Sequence, residues 1–313
     1  MAPASTNRAL TAKPFLKWAG GKRQLLPQIQ AAFPDALKTG QIKRYIEPFI
    51  GSGAVFFEVA NHFPIEEFII ADINPELILV YRTIQRDVEA LIEHLAGIQE
   101  NFFGLSEAGK KSFFYQVRAR FNQTLPKINF ASFEANWVER SAQIIFLNRT
   151  CFNGLFRVNS KGEFNVPFGR YKKPKICDAE NLRAVSQRLK PAKIRHGDFE
   201  LCLSQADAST FVYFDPPYRP ISKTASFTAY SATVFDDAAQ KRLAALFRRL
   251  DRRGARLMMS NSDPQNENGS DNFFDDLYQG FQIRRVKANR MINSKSDKRG
   301  AINELIITNY KPG

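Results

Sequence analysis

The feature that most constrains the fold is a glycine-rich turn between short apolar segments. Residues 45–57 run from an apolar strand-like segment through Gly51-Ser52-Gly53 into a segment typical of a helix. A further apolar segment, residues 68–71, ends in Asp72. This order of strand, turn, helix and strand predicts the first βαβ unit of a doubly wound parallel sheet. The fold class is therefore α/β.

The turn and the acid that follows it predict a ligand with a ribose. Glycines permit a tight turn and close approach of the backbone to a ligand, and an acid at the end of the second strand is placed to bind ribose hydroxyls. No Walker-type lysine follows the turn, so a triphosphate is not expected. S-adenosylmethionine, which has a ribose and no pyrophosphate, is the leading cofactor. The alternative is an ordinary corner between a strand and a helix, because a lone G-x-G pattern is weak.

A second motif is Asp215-Pro216-Pro217-Tyr218, which follows the apolar residues 211–214. The apolar run predicts a strand that delivers Asp215 to the carboxyl edge of the sheet, where open α/β folds bind ligands. The two prolines lack N–H donors, so the turn offers carbonyl acceptors only. Tyr218 offers a ring face for stacking. The motif predicts a site for a flat amine; the alternative is a proline-rich turn with an incidental acid.

A third cluster, residues 17–22, combines an aromatic ring, two glycines and two lysines. A lysine pairs with a carboxylate, and an indole ring packs on a ligand or its cation. A solvated basic loop is the alternative.

The α/β pattern is split by a long middle segment. Leu77, Val80, Tyr81 and Ile84 have helical spacing, whereas residues 149–175 are rich in Asn, Gly, Pro, Arg and Lys and lack clear periodicity. We predict a disordered tail at residues 1–13, a cofactor-binding domain at 14–72 and 191–313, and an inserted, mainly helical domain at 73–190.

In the second half of the cofactor-binding domain, we expect three further strands and a helix. The strands are a short one ending near 193–199, one at 255–259 and a last one at 304–308. Asp236 is expected to cap the helix. The apolar stripe of this helix comprises Leu243, Leu246, Phe247 and Leu250.

The charge balance points to a polyanionic partner. Lys plus Arg number 45 against 31 Asp plus Glu, a net charge of +14. This excess favours nucleic acid over a membrane, with a generically basic protein as the alternative. No apolar run reaches about 18 residues, so no transmembrane helix is expected, and residues 1–13 lack the apolar core of a signal peptide. The three cysteines and three histidines show no metal or redox spacing. We therefore expect a reduced, cytoplasmic protein without a metal.

Taken together, the motifs resemble the DNA adenine-N6 methyltransferases of the Dam type, and their order resembles the α class of amino-methyltransferases. The resemblance extends along most of the chain and implies a Rossmann-like methyltransferase sheet with an inserted target-recognition domain. It rests on residues 14–22, 47–53, 72, 147–157, 162–169, 215–218 and 226–230. The most specific stretch is residues 153–167, which resembles the region that reads GATC in Dam-like enzymes.

The resemblance implies a role for many individual residues. Those expected to bind S-adenosylmethionine are Trp18, Ala19, Gly20, Lys22, Glu47, Phe49, Gly51, Ser52, Gly53, Asp72, Asp198, Phe199 and Asp215. Those expected to bind DNA are Lys17, Phe152, Asn153, Leu155, Arg157, Pro167, Ser294, Lys298 and Arg299.

Within the second set, the roles differ. Lys17 and Arg157 match residues that read guanine, and Leu155 and Pro167 match apolar contacts to the thymine methyl group. Phe152 departs from the family, which usually has a tyrosine that inserts into the base stack. A phenylalanine ring can still insert into the base stack, but it has no hydroxyl.

The implied reaction is methyl transfer to the N6 amine of adenine in double-stranded DNA, with S-adenosylhomocysteine as the other product. Asp215, Pro216 and Tyr218 are the expected catalytic residues, acting on a base flipped out of the duplex. We expect a monomer in solution. A protein glutamine or RNA base as acceptor, or a catalytically inactive DNA-binding relic, are the competing interpretations. A restriction–modification system, a phage and a stand-alone regulator are all compatible with these motifs.

Overall fold

The computed structural model of the protein describes residues 11–18, 20–202, 204–219, 235–289 and 301–312. One seven-stranded sheet crosses this part of the chain, in the order β3-β2-β1-β4-β5-β7-β6. The strands are β1 (Arg44–Glu47), β2 (Glu67–Asp72), β3 (Ala192–His196), β4 (Thr210–Phe214), β5 (Arg256–Ser262), β6 (Gln282–Asn289) and β7 (Ala301–Thr308).

The first five strands are parallel, and β7 is antiparallel to both of its neighbours. The α/β prediction is confirmed. β1 lies between β2 and β4, where the strand order reverses: Ile46 faces Ile69 on one side and Val212 on the other. In doubly wound sheets, ligands bind at the carboxyl ends of the strands at such a reversal.

Ten α-helices surround the sheet in the described residues. They are α1 (Leu26–Ala31), α2 (Asp35–Lys38), α3 (Ala54–His62), α4 (Pro75–Arg86), α5 (Val88–Gly104), α6 (Glu107–Thr124), α7 (Asn136–Thr150), α8 (Ala179–Leu189), α9 (Asp237–Asp251) and α10 (Phe273–Leu277). Short 3-10 turns lie at Leu125–Lys127, Phe152–Gly154, Phe199–Cys202 and Pro264–Asn266.

Local sequence signals explain where the main helices begin. The Asn74 side chain caps α4 by accepting hydrogen bonds from the N–H groups of Glu76 and Leu77. Asp236 caps α9 by accepting from Ala239 N, as predicted. The predicted apolar stripes of α4 and α9 are both buried.

The central strands are buried on both faces. Tyr45 contributes to an apolar cluster on one face, and the next residue, Ile46, contributes to a cluster on the other. In the same way, Tyr213 contributes to the first cluster and Phe214 to the second. Since successive strand residues point to opposite faces, the continuous apolar runs in the sequence follow from a sheet covered on both sides.

The segment between β2 and β3 contains α4 to α8 and packs closely against the sheet. Gln85 Nε2 donates to the carbonyl of Ala192 at 2.8 Å, and Arg82 donates to that of Ile194 at 3.1 Å. A buried ion pair between Glu76 and Arg140 joins α4 to α7. These contacts make a continuous core across residue 73, and the division into two domains stays a prediction.

Two expectations need correction, and one strand of the sheet was not expected. Residues 1–10 of the expected disordered tail lie outside the described residues, but Ala12 and Lys13 do not fit that expectation: Ala12 is buried, and Lys13 N donates to Asn181 Oδ1 at 2.9 Å. The predicted strands at 255–259 and 304–308 are longer in the structure, as β5 and β7. Strand β6 was not predicted at all. Across the described ranges, no helix is both long and apolar enough to cross a membrane.

Candidate active site

Four neighbouring strands bring polar side chains to one face of the sheet at its carboxyl edge. Glu47 ends β1, Asp215 follows β4, and Ser260 lies in β5. Glu304 in β7 is paired across the ladder with Ser262 of β5. Directly paired strand residues share a face, as do residues two apart, so Ser260 and Glu304 point to the same side.

Asp215 lies at the centre of this edge and is paired with Lys22. Lys22 is only 4% exposed, and its Nζ lies 2.6 Å from Asp215 Oδ1. The same ammonium donates to the carbonyl of Gly20 at 2.7 Å, and Ser260 Oγ donates to Asp215 Oδ1 at 3.2 Å. Burial raises the pKa of Asp215, although the Lys22 ammonium lowers it. A buried charge needs such a partner.

Tyr218 is fixed by contacts at its hydroxyl and its ring. Its hydroxyl donates to Glu304 Oε2 at 2.5 Å. Lys22 Nζ lies 4.6 Å from the centre of the Tyr218 ring, within the range of a cation–π interaction. Burial raises the pKa of Tyr218 well above its ordinary value, so the phenol stays neutral and donates.

The backbone around the motif is also anchored. Gln240, buried in α9, donates from Nε2 to the carbonyl of Pro217 at 3.2 Å. Arg219 donates to both carboxylate oxygens of Asp237, at 2.7 and 3.0 Å, and to Asp271 at 2.8 Å. Residues 217–219 are therefore held to α9 and to the segment before α10.

The glycine turn has the close approaches that its sequence predicts. Gly51 has φ 46°, and a Cβ there would lie 3.1 Å from Trp18 Cδ1. Gly51 N donates to Asp72 Oδ2 at 3.1 Å, and Asn74 N donates to Asp72 Oδ1 at 2.9 Å. Burial raises the pKa of Asp72 to about 6, against the opposing effect of these N–H groups.

A pocket connects the turn to Asp215. It is lined by Trp18, Gly20, Gly21, Lys22, Glu47, Ile50, Gly51, Ser52, Ala54, Val55, Tyr213 and Asp215. Tyr45 donates its hydroxyl to Glu47 Oε2 at 2.5 Å, and burial raises the pKa of Glu47 well above its ordinary value. Most of the residues predicted to bind a cofactor thus meet here; Ala19 lies outside the described residues.

Three further predicted cofactor residues lie beside the end of β3. The rings of Phe49 and Phe199 stack with their centres 5.4 Å apart. The Asp198 carboxylate pairs with Arg242, whose guanidinium lies 4.4 Å from the Phe199 ring centre. The structure therefore joins Phe49 to Phe199, while Asp198 pairs with a residue that the sequence did not point to.

The predicted DNA-binding residues lie mainly on an irregular segment, residues 151–171. Phe152 is 54% exposed, and Asn153 has a positive φ of 57°. Backbone hydrogen bonds fold the segment on itself: Phe152 N donates to Pro167 O at 2.8 Å, and Asn165 N donates to Arg157 O at 3.1 Å. Phe152, Asn153, Arg157 and Pro167 are exposed, and Leu155 is half-buried.

Lys17 joins this segment from the N-terminal side. Asn148 Nδ2 donates to the carbonyls of both Lys17 and Gly154, at 2.8 and 2.9 Å. The Lys17 side chain passes over Gly154, where a Cβ would lie 2.2 Å from Lys17 Cδ. Lys17 Nζ is 4.6 Å from the Tyr171 ring centre. Ser294, Lys298 and Arg299 fall outside the described residues.

Comparison with known proteins identifies the family. The sequence profile of the D12 class N6 adenine-specific DNA methyltransferases matches residues 18–292. The chain belongs to this family.

Similar relatives extend over almost the whole chain. The chain is 52% identical to the Type II methyltransferase M.MjaIII of Methanocaldococcus jannaschii, over 95% of this chain and 99% of that protein. It is 41% identical to the Type II methyltransferase M1.LlaDCHI of Lactococcus lactis subsp. cremoris, over 95% of each. It is 37% identical to a DNA adenine methylase of Haemophilus influenzae, over 94% and 92% respectively.

The protein is therefore a site-specific, adenine-specific DNA methyltransferase, and its family implies use of S-adenosylmethionine. The pocket has the chemistry to hold this group. The Lys22 ammonium suits the methionine carboxylate, and the carboxyl oxygens of Glu47 and Asp215 can accept hydrogen bonds from the methionine amine. The Asp72 carboxylate suits ribose hydroxyls. The glycine turn keeps the wall beside Trp18 free of side chains.

Several residues that hold Asp215, Pro217 and Tyr218 were not predicted from the sequence. Ser260 and Glu304 bond to Asp215 and Tyr218, and Gln240 holds Pro217. A weak signal was present, since Ser260 directly follows the apolar residues 257–259 of β5 and Glu304 directly precedes an apolar run. Their partners lie 45 and 86 residues away, and no local pattern indicates these pairings.

Proposed function

We propose that this methyltransferase transfers a methyl group from S-adenosylmethionine to N6 of the adenine in GATC, and that it flips the base out of double-stranded DNA to do so. The observation that carries the proposal is the meeting of Asp215 and Tyr218 at the carboxyl end of β4, beside the Lys22–Glu47–Gly51 pocket. A stacking ring and a buried acceptor there adjoin a pocket suited to the methyl donor.

At the adenine end, Asp215 and Pro216 would hold the amine and Tyr218 the ring. N6 lies inside the duplex, so the base must be extruded before it can react. The Asp215 carboxylate and the Pro216 carbonyl would accept the two amine hydrogens, which draws the nitrogen lone pair out of ring conjugation. Stacking on Tyr218 would contribute roughly 1–3 kcal/mol, by analogy with single-strand binding.

At the donor end, the side chains of the pocket orient the cofactor. Its methyl group is electrophilic because it is attached to a sulfonium, and that is the chemistry which the cofactor supplies. Lys22 would pair with its carboxylate, and Asp72 would accept from its ribose hydroxyls. Trp18 and the Gly51 turn would confine it. Because the amine and the methyl group are then held together, orientation supplies much of the rate acceleration.

The target sequence would be recognised by the exposed segment, residues 151–171, and by Lys17. Arg157 Nε donates to Asn165 Oδ1 at 2.8 Å, which orients the guanidinium and leaves its two terminal nitrogens to donate to guanine O6 and N7. Lys17 would contact a second guanine. Leu155 and Pro167 would contact the thymine methyl group, and Phe152 would fill the space in the base stack. Ser294, Lys298 and Arg299 would contact phosphates.

A plasmid assay tests the site and the reaction together. The enzyme is expressed in a host without adenine methylation, and the plasmid is digested with one nuclease that cuts only methylated GATC and one that cuts only unmethylated GATC. We expect the first to cut and the second to fail. Plasmid from cells that express the Asp215→Ala variant is the matched control. The nuclease for methylated GATC should fail to cut it, and the nuclease for unmethylated GATC should cut it. Methylated adenine in a different sequence context would refute GATC while leaving the adenine chemistry intact.

A further inference from the structure

We propose that Glu304 is a positioning residue for Tyr218, and that its carboxylate fixes the ring on which the target adenine stacks. This inference rests on the proposed role of Tyr218. Glu304 lies in β7, 86 residues from Tyr218 in sequence, and its Oε2 accepts the Tyr218 hydroxyl at 2.5 Å. No motif in the sequence connects the two residues; the sheet brings them together.

The direction of this hydrogen bond is fixed by chemistry. Burial raises the pKa of Tyr218 well above its ordinary value, so its oxygen keeps the proton. An ionised carboxylate only accepts hydrogen bonds. A neutral donor facing an ionised acceptor makes a charge-assisted bond, which is shorter and stronger than a neutral one. The phenol is therefore anchored at its far end.

The sheet makes Glu304 a rigid anchor. β7 is bonded on both sides, so that Glu304 is paired with Ser262 of β5 and with Val286 of β6. On the same face, Ser260 of β5 donates to Asp215. The acid and the ring of the motif are thus each held by a residue from this antiparallel pair of strands, which fixes the distance between the amine acceptor and the stacking surface.

Lys22 completes the restraint. Its ammonium lies against the ring of Tyr218, 4.6 Å from the centre, while Glu304 holds the hydroxyl. With contacts at both ring and hydroxyl, rotation of the ring would break one or the other. Removal of the Glu304 carboxylate should therefore loosen the ring without changing the groups that line the cofactor pocket.

The test compares Glu304→Ala, Glu304→Gln, Tyr218→Phe and the Tyr218→Phe/Glu304→Ala double variant in the full-length enzyme. Each is assayed on a GATC duplex for kcat and for the KM of S-adenosylmethionine. Because a hydrogen bond to a charged group is worth more than a neutral one, we expect Glu304→Ala and Tyr218→Phe each to lower kcat by about tenfold. The KM should change less than twofold. Since both changes remove the same bond, the double variant should be no slower than either single variant.

Glu304→Gln keeps an acceptor oxygen and should retain most of the turnover. The matched control is Glu267→Ala, which removes an exposed carboxylate from the turn after β5 and should leave kcat unchanged. A second readout is a duplex with 2-aminopurine at the target adenine. A loosened ring quenches the extruded base less, so the fluorescence of the complex should rise for Glu304→Ala and stay unchanged for Glu304→Gln.

Several outcomes would overturn the inference. Additive losses in the double variant would show that the two residues act independently, and a loss confined to KM would assign Glu304 to the cofactor. Should Glu304→Ala fail to fold, full turnover by Tyr218→Phe would still refute the proposal. Tyr218→Ala separates this idea from the proposed function: wild-type turnover by that variant refutes stacking itself. An inactive Tyr218→Ala beside a fully active Glu304→Ala refutes only the role of Glu304.

Discussion

The carboxyl edge of the sheet and the segment of residues 151–171 present their functional side chains in different ways. At the edge, Asp215 and Tyr218 already have protein partners and are largely shielded from solvent. In the segment, Phe152 and Arg157 are exposed, and backbone hydrogen bonds set much of the local shape. The difference fits the tasks proposed for the two regions. Methyl transfer needs one geometry at one atom, whereas a DNA-reading surface must stay accessible and suits a loop on a rigid scaffold.

This comparison predicts that changes at the edge reduce turnover, and that changes in the segment alter the choice of site. The largest effect is expected at Asp215. Asp215→Ala removes the amine acceptor and leaves Lys22 without its carboxylate, so methyl transfer should fall below a tenth of the wild-type rate. The measurement is transfer of a labelled methyl group to a GATC duplex. Thermal unfolding shows whether the variant is folded, and Asp35→Ala, at an exposed ion pair, is the control. Activity above a tenth would refute the assignment of Asp215.

The next-largest effect is expected at Arg157, in the segment of residues 151–171. Arg157→Ala removes the donors proposed to read guanine, and we expect a loss of about 1–3 kcal/mol of discrimination. It is measured as the ratio of kcat/KM for GATC to that for a site with the guanine replaced. Lys161→Ala, in the same segment, should instead weaken binding to all sequences equally. Equal losses on both sites for Arg157→Ala would mean that this residue contacts only the backbone of the DNA.

A smaller, pH-dependent effect is expected at Asp72. Burial raises its pKa to about 6, so it takes up a proton below about pH 6 and loses acceptor capacity for ribose hydroxyls. The dissociation constant of S-adenosylhomocysteine should rise as the pH falls through this value, by up to about tenfold per pH unit, and should level off above it. Calorimetric titration measures this.

Glu47 and Asp215 also have raised pKa values, so the Asp72→Asn variant is needed to isolate Asp72. The Asp72→Asn variant should bind S-adenosylhomocysteine more weakly than the wild type. Its dissociation constant should not change as the pH passes through about 6. The same step in both proteins would assign the titration to another group.

The smallest effect is expected at Phe152. Phe152→Ala removes an exposed wedge and should lower kcat several-fold, because the gap left by the flipped base is no longer filled. Phe152→Tyr keeps the ring and adds a hydroxyl, and its kcat should stay within about twofold of the wild type. Phe103→Ala, at another exposed phenylalanine, is the control. A fall in kcat as large as that expected for Asp215→Ala would contradict the different roles proposed for the carboxyl edge and the segment.

The sequence predicted the parts of the fold whose signals are local. The turn at Gly51, Asp72 at the end of β2 and the Asp236 cap each depend on neighbouring residues, and all are present in the structure. Strand β6 was missed because it lies at the edge of the sheet, where Ile283 and Val286 do not alternate with a period of two. Its arginines and lysine gave the segment the composition of a loop.

In the candidate site, too, the sequence predicted mainly the residues whose signals are local. The Asp215 motif and the pocket residues were predicted from short patterns, and the structure brings them together. The pairs Tyr218–Glu304 and Arg219–Asp237 were not, since tertiary packing alone brings their side chains into contact. Asp198 had a family match but no local signal, and its pairing with Arg242 also arises from packing.

The position of β7 bears on when the carboxyl edge of the sheet is completed during synthesis. β7 is the seventh strand in sequence, yet it lies between β5 and β6. A ribosome must therefore translate beyond Thr308 before β6 can join the sheet and before the carboxylate of Glu304 can reach Tyr218. A nascent chain that already contains every recognisable motif still lacks a complete catalytic edge. The order of translation thus completes this edge only when the last of the seven described strands has emerged.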